Sequence, residues 1–86
     1  MTYSVELTAA AARQLRKLDR PVRARLIAAI GDLAEEPRPA GATKLVGEKT
    51  AWRIRVGNYR VIYDVLDEAL VVTVVRAGHR REVYDR

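Results

Sequence analysis

The residues of this chain best suited to chemistry are arginines on two predicted strands. The segment WRIRVGNYRVIY, residues 52–63, alternates large apolar side chains with Arg53, Arg55 and Arg60. Side chains alternate between the two faces of a strand, so these cations share one face if Gly57–Asn58 forms a two-residue turn. Arg55 then faces Arg60, and like charges so placed destabilise a sheet unless an anion binds there. The pattern predicts an anion-binding face, the alternative being that the arginines only keep one side of the sheet hydrated.

A second basic cluster, Arg76-Ala77-Gly78-His79-Arg80-Arg81, ends the last predicted strand. His79 is the only histidine of the chain. Histidine exchanges protons near neutral pH, although a lone histidine is more often an ordinary surface residue. If the tail is helical, Arg80 and Tyr84 lie one turn apart on the same face. An arginine beside an aromatic ring suits a phosphate followed by a stackable base, the alternative being that Tyr84 anchors the tail in the core.

The elements that must position these residues follow from two changes in the hydrophobic period. Residues 3–7 alternate with period two and predict a strand, after which Thr8 can cap a helix. A second helix begins near Pro21, carries a broad apolar stripe and stops at Glu35-Glu36-Pro37. The basic residues of the helix pair fall mostly off the stripe and are interpreted as a hydrated face: Arg13, Arg16, Lys17, Arg20, Arg23 and Arg25.

The C-terminal half begins with a loop rich in turn formers, residues 37–50, in which Leu45 is a candidate anchor. Three strands follow, at about residues 51–56, 59–66 and 70–76. Their close spacing predicts an antiparallel meander, and the tail from Gly78 predicts one or two helical turns. The predicted fold class is α+β, in one domain over residues 1–86: an N-terminal strand, a helix hairpin, a three-stranded antiparallel meander and a short C-terminal helical tail.

The composition narrows the possible functions. Sixteen basic residues against 11 acidic ones give a net charge of +5, which favours a polyanionic partner such as nucleic acid. With no cysteine and one histidine there is no recognisable ligand set, so neither a metal nor a cofactor is expected. No apolar run approaches the roughly 20 residues of a membrane span, and the N-terminus does not resemble a signal peptide. A soluble cytoplasmic protein is the default expectation.

The order of elements, with WRIRVGNYRVIYDVLDE followed by VVTVVRAGHRREVY, resembles the RelE/ParE superfamily of bacterial type II toxins. The likeness spans nearly the whole chain and rests on a Tyr-Arg-apolar-apolar-Tyr stretch combined with a terminal His-Arg-x-x-Val-Tyr. It implies a RelE-like mRNA interferase, an endoribonuclease that cuts mRNA in the A site of the 70S ribosome. The helix pair is implied to cover one side of the sheet, while the other side forms an active concavity.

The resemblance also implies a protein partner, a cognate antitoxin that wraps the toxin. The net charge of +5 suits an acidic wrapping chain. We expect the antitoxin either to cover the basic face or to displace the tail from residue 78 onward.

Carried over residue by residue, the resemblance matches Arg53 and Arg55 to two basic positions of the first meander strand. Arg60 matches the arginine of the next strand, and Arg80 and Tyr84 match the tail arginine and tyrosine. RelE itself has lysines where Arg53 and Arg55 stand, and one of them is implied as a proton acceptor. Arginine is not deprotonated at accessible pH. Either another group accepts the proton in this chain, or the reaction is slower.

Metal-free RNA cleavage needs a base for the 2′-hydroxyl, cations for the charge on the phosphate and an acid for the departing 5′-oxygen. The chain is rich in cations and poor in proton-transfer groups. We therefore predict His79 as general base or acid, Arg60 and Arg80 as phosphate-stabilising residues, and Tyr84 as the residue that stacks on a base. The basic residues predicted to bind the RNA around these catalytic residues are Arg53, Arg55, Arg81 and Lys49.

Two functions from other classes remain open at this point. ParE-like members of the superfamily resemble this fold but inhibit DNA gyrase by binding, without chemistry of their own. A small basic nucleic-acid-binding domain without activity is the third possibility. The basic sheet and the His-Arg-x-x-Val-Tyr tail favour the nuclease.

Overall fold

The computed structural model describes residues 2–83. Within these residues the chain forms two helices and five strands, in the order β1 (Ser4–Leu7), α1 (Ala9–Arg16), α2 (Arg20–Asp32), β2 (Thr43–Lys44), β3 (Ala51–Val56), β4 (Tyr59–Leu66) and β5 (Val71–His79). The predicted α+β class, the N-terminal strand and the helix pair are confirmed. No helix in this part of the chain is long and apolar enough to cross a membrane.

The five strands form one mixed sheet in the order β1-β5-β4-β3-β2. β3, β4 and β5 are the predicted antiparallel meander, whereas β1 runs parallel to β5 at one edge. The prediction missed β2, which pairs with β3 at the other edge. Two residues within a turn-rich loop have no alternation to recognise, and only the neighbouring strand makes them extended.

The helices begin where the sequence indicates. The Thr8 side-chain oxygen accepts a hydrogen bond from the Ala11 N–H at 3.1 Å, which satisfies a donor that the first helical turn leaves open. Pro21 lies in the first turn of α2, where the absence of an N–H costs nothing. α2 ends at Asp32, earlier than the predicted stop. The helix is closed by a hydrogen bond from the Leu33 N–H to the Ile30 carbonyl, which spans three residues instead of the four of an α-helix.

The two faces of the sheet carry two separate apolar clusters. The helix-side core joins both helices to the sheet and contains Leu15, Leu26, Ile30, Ile54, Val61, Tyr63, Val72 and Val74 among others. The outer cluster lies on the opposite face and consists of Leu45, Ala51, Ile62 and Val83. Leu45 is therefore the anchor that the loop pattern predicts. The outer face of the sheet is not a uniformly hydrated surface.

β5 is longer than predicted, and the helical tail is wrong for the described residues. Gly78 and His79 continue the pairing with β4 instead of starting a helix. The chain then turns once, because the His79 carbonyl accepts hydrogen bonds from the N–H groups of Glu82 and Val83 at 2.8 and 3.1 Å. This turn brings Val83, only 1% exposed, back over the outer face. The rest of the predicted tail, including Tyr84, lies outside the described residues.

A hydrogen-bonded network ties the loop after α2 to the sheet. The Arg38 guanidinium pairs with Asp67 at 2.6 Å, and the Tyr3 hydroxyl donates to the other oxygen of the same carboxylate at 2.6 Å. These two donors hold the pKa of Asp67 below its usual value. Arg38 also lies over the ring of Trp52, 5.5 Å from its centroid. The loop that precedes β2 is held at this end of the sheet.

Tyr63 forms a second hydrogen bond that holds the same loop, and its removal tests how much this bond stabilises the core. Its buried hydroxyl donates to the Pro37 carbonyl at 2.7 Å, and burial raises the pKa of Tyr63 to about 12. We expect Tyr63→Phe to lower the free energy of unfolding by about 1–3 kcal/mol, because the Pro37 carbonyl is left buried without its donor. Urea unfolding below pH 10 measures the difference.

The difference in the free energy of unfolding between wild type and Tyr63→Phe is predicted to depend on pH. Because the pKa of Tyr63 is higher in the folded than in the unfolded chain, its contribution is complete below pH 10 and declines as the pH rises to about 12. The stability difference between wild type and Tyr63→Phe should therefore shrink over this range. The difference measured below pH 10 is the reference value for this comparison. A difference that stays constant from pH 10 to 12 would contradict the assignment.

Candidate nucleic-acid interface

The β3–β4 hairpin is built as the sequence predicts. Gly57 has a φ of +62°, and Asn58 is not among the residues of positive φ. One positive φ at the first central position is the pattern of a type II′ turn, whose twist matches that of the flanking strands. The turn sets the register, in which Arg55 pairs with Arg60 and Arg53 with Ile62. The predicted pairing of two arginines is confirmed.

The register continues across β5 and produces two rows on the outer face. Arg53, Ile62 and Arg76 form one row, and Arg55, Arg60 and Gly78 form the next. We call the surface carrying Arg53, Arg55, Arg60 and Arg76 the arginine face. Arg76 was not among the predicted binding residues, although it belongs to the second basic cluster.

A β-bulge explains why Arg76 lies on this face. Val72 and Val74 point to the helix-side core, so strict alternation would turn residue 76 toward the core as well. The register between β4 and β5 shifts at Ile62/Tyr63, which leaves Val75 as an extra residue, and its side chain packs on the outer cluster. The bulge reverses the alternation and moves Arg76 to the outer face.

Three arginines from different elements meet at a small cavity. Arg55 of β3, Arg60 of β4 and Arg80, which follows β5, line a cavity of about 100 Å³ together with the hairpin turn residues 57–59. We call it the arginine cavity. Since a water molecule takes about 30 Å³ of liquid, this space is on the scale of a phosphate group and not of a whole nucleotide.

The turn after β5 is attached on both sides of the cavity. The Arg80 N–H donates to the Asn58 carbonyl at 2.8 Å, and Arg60 Nη1 donates to the Val83 carbonyl at 3.2 Å. A Cβ built on Gly78 would lie 3.1 Å from Val83 Cγ2, so the glycine lets Val83 pack closely over β5. These contacts hold Arg60 and Arg80 beside the same cavity before any ligand binds.

The arginine cavity is cationic. Among residues 2–83 neither Asp nor Glu lines it, and none of their carboxylates lies within ion-pair distance of Arg55 or Arg80. Asp64, on the same face of β4, accepts its hydrogen bond from Thr50 at 2.9 Å. Bringing guanidinium groups together in this way creates a local positive potential that attracts anions.

The structure does not bring His79 to the arginine cavity. His79 pairs with Tyr59, and the two rings meet edge to face at 5.4 Å. Tyr59 packs on the helix-side core, so the imidazole lies on the helix side of the sheet, where it lines a separate cavity with Gln14 and Lys17. Its Nδ1 accepts the Arg81 N–H at 3.1 Å. The same bulge that exposes Arg76 turns His79 away from the arginine face.

The other predicted residues are distributed around the site. Arg53 lies on the arginine face but donates through Nη2 to Thr43 Oγ1 at 3.0 Å and does not line the cavity. Arg81 is exposed in the turn after β5, and Lys49 is exposed in the loop between β2 and β3. Tyr84 lies outside the described residues. The structure therefore unites Arg55, Arg60 and Arg80, and among the described residues it leaves Arg53, His79, Arg81 and Lys49 outside the lining of that cavity.

The fold and the cavity define a small basic α+β protein with helices on one face of a mixed sheet and a cavity lined by three arginines on the other. Residues 5–84 match the model of the family described as ParE toxin of type II toxin-antitoxin system, parDE. Toxin RelG of Mycobacterium tuberculosis is 37% identical over 90 residues, which cover 100% of both chains. The mRNA interferase toxin RelE of Escherichia coli is 35% identical over 88 residues, 98% of this chain and 92% of its own.

A solved structure supports the same assignment. The toxin-antitoxin complex RelBE2 from Mycobacterium tuberculosis contains a chain with a TM-score of 0.81 and 34% identity, covering 93% of this chain and 100% of that chain. The protein belongs to the RelE/ParE superfamily of type II toxins, and its relatives make it a RelE-like toxin of a RelBE-type system.

The pairing of Arg55 with Arg60 generates a prediction about stability that does not depend on function. We expect Arg55→Gln to raise the free energy of unfolding by about 0.2–1 kcal/mol at low salt, since directly opposed like charges destabilise a sheet. The gain should disappear as salt screens the repulsion. Arg53→Gln is the matched control on the same strand and face, because Ile62 faces it. Denaturant unfolding in which Arg55→Gln is less stable than wild type at low salt would contradict the prediction.

Proposed function

We propose that this toxin is an mRNA interferase, an endoribonuclease that cuts mRNA in the ribosomal A site and so stops translation. The observation that supports it is the meeting of Arg55, Arg60 and Arg80 around a cavity on the scale of one phosphate. The relative from Escherichia coli is named an mRNA interferase. Action on translating ribosomes implies that the protein works in the cytoplasm.

The proposed reaction uses the RNA, the protein and solvent water. The 2′-oxygen loses its proton to water and attacks the neighbouring phosphorus, the bond from phosphorus to the 5′-oxygen breaks, and that oxygen takes up a proton from water. A 2′,3′-cyclic phosphate and a free 5′-hydroxyl result. Negative charge grows on the phosphoryl oxygens during attack, and guanidinium groups donate forked hydrogen bonds to such oxygens. Arg55, Arg60 and Arg80 are proposed to stabilise that charge.

Proton transfer is the weak part of this site. In the described part of the chain, the side chains that line the arginine cavity include no histidine or carboxylate, and arginine remains protonated. The cavity therefore contributes charge stabilisation and positioning. Positioning lowers the reaction barrier by on the order of 7–11 kcal/mol when the reacting atoms are well aligned. Such a site depends on a partner that holds the RNA in the reactive geometry. We propose that the ribosome does this, and that naked RNA is cut weakly.

The first test removes one arginine from the cavity. We expect Arg80→Gln to lower the rate of mRNA cleavage on translating ribosomes about 10²–10³-fold, the usual effect of deleting one donor to a developing oxyanion. Cut ends are mapped by primer extension. Arg13→Gln removes the same charge from the exposed surface of α1 and should cleave like wild type. If Arg80→Gln cleaves like wild type too, the cavity is not the site of reaction.

The same assay separates the second candidate function. The resemblance to ParE-like toxins implies inhibition of DNA gyrase by binding, and the family model that matches this chain is described as ParE toxin. Wild-type protein is therefore also added to a gyrase supercoiling reaction. Inhibited supercoiling without mRNA cut ends would replace the nuclease proposal by the ParE-like one.

We propose a positioning role for His79 in place of the predicted role as general base or acid. Because its Nδ1 accepts the Arg81 N–H, we propose that it positions the turn carrying Arg80. His79→Ala should then lower cleavage, while His79→Asn, which keeps an acceptor, should restore most of it. The ribosome assay measures both. If Asn is as inactive as Ala while both variants keep the wild-type thermal midpoint, proton transfer by His79 regains its place in the mechanism.

We propose an acidic antitoxin as the protein partner. The similar chain from Mycobacterium tuberculosis belongs to a toxin-antitoxin complex, and the net charge of +5 suits a partner of opposite charge. Such a chain can inhibit by covering the arginine face or by displacing residues 80–83, because either event removes the alignment of Arg60 with Arg80.

A further inference from the structure

Arg25 of α2 lies at the border between its helix and the sheet. It follows Val22 by three residues and precedes Leu26, and both of these pack in the helix-side core. Residues three or four apart share a helix face, and helical side chains lean toward the helix N-terminus. The Arg25 stem therefore starts beside the apolar stripe, although the residue itself is exposed.

The guanidinium of Arg25 reaches the hairpin turn. A Cβ built on Gly57 would lie 3.1 Å from Arg25 Nη2, which places this nitrogen directly against the bare backbone of the turn. Gly57 is also one of the residues that line the arginine cavity. A cation from the helix layer thus lies against a turn residue that also lines the arginine cavity, although Arg25 itself is not part of that lining.

No acidic group explains why Arg25 is there. Within residues 2–83 no carboxylate lies within ion-pair distance of its guanidinium. The charged side chains that line the cavity at Gly57 are arginines, and adding another cation to such a cluster raises a positive potential that attracts anions.

We propose that Arg25 is a fourth phosphate-binding arginine of this site, which holds the phosphate next to the one in the arginine cavity. The inference rests on the proposed function, since it needs a single RNA strand crossing the Gly57–Asn58 turn. The planar guanidinium fork suits two oxygens of one phosphate. Arg25 would fix the direction of the strand and take no part in the bond changes.

The test measures phosphate contacts by their salt dependence. The probe is a short single-stranded RNA with 2′-O-methyl riboses, which cannot be cleaved because it has no free 2′-hydroxyl. Its affinity is measured over a series of salt concentrations for wild type, Arg25→Gln, Arg25→Lys and Arg13→Gln. Each phosphate contact on a single strand contributes about 0.7 to the slope of log K against log salt. We expect Arg25→Gln to reduce the slope by about that amount, and Arg25→Lys and Arg13→Gln to keep it.

Parallel cleavage assays make the two proposals separable. If wild type cleaves mRNA and Arg25→Gln binds the probe with the wild-type slope, the role of Arg25 is overturned and the nuclease stands. If Arg25→Gln lowers the slope of log K against log salt by the expected amount but wild type does not cleave mRNA, the nuclease is overturned and Arg25 stands as an RNA contact. A wild type that does not bind the probe overturns the role of Arg25, and the nuclease is then decided by the cut ends alone. Thermal midpoints equal to that of wild type show that the exposed variants are folded.

Discussion

Packing of the helices onto the β3–β4 hairpin is the constraint that creates the arginine face. Ile54, Val61 and Tyr63 are buried on the helix side, and burying each such side chain stabilises the fold by about 1.5–3 kcal/mol. The repulsion between Arg55 and Arg60 costs about 0.2–1 kcal/mol. A slip of one residue would relieve the repulsion but would expose the whole apolar set. The core therefore decides the register, and the opposed arginines are its consequence.

The turn after β5 adds a third arginine to the mutually repelling pair Arg55 and Arg60 and so completes the proposed phosphate site. It adds Arg80 to the cavity and is held by two hydrogen bonds, from the Arg80 N–H to the Asn58 carbonyl and from the Arg60 side chain to the Val83 carbonyl. Val83 packs over Gly78 and completes the outer cluster. Because the backbone of Arg80 and the guanidinium of Arg60 are already held by hydrogen bonds, the proposed binding of an anion needs little rearrangement of the chain. This is the condition under which fixed charges stabilise a transition state most effectively.

The same electrostatics connects the proposed activity with its proposed inhibition. The proposed site is dominated by the guanidinium groups of Arg55, Arg60 and Arg80, which attract phosphate but transfer protons poorly, so it needs a substrate that is already aligned. An acidic chain lying on those groups would relieve their repulsion. Any partner that binds only the folded toxin also stabilises it. We expect such a complex to be more stable than the toxin alone.

The sequence by itself determined the hairpin, the face on which Arg55 and Arg60 lie, and the start of the first helix at Thr8, because alternation, turn chemistry and capping are properties of neighbouring residues. Only the tertiary structure decided which basic residues after β4 join that face. An unpaired Val75 in β5 exchanges the positions that simple alternation would assign to Arg76 and His79. A bulge depends on how one strand fits against its partner and on the clusters packed on both sides, and this information is absent from the period of a single strand.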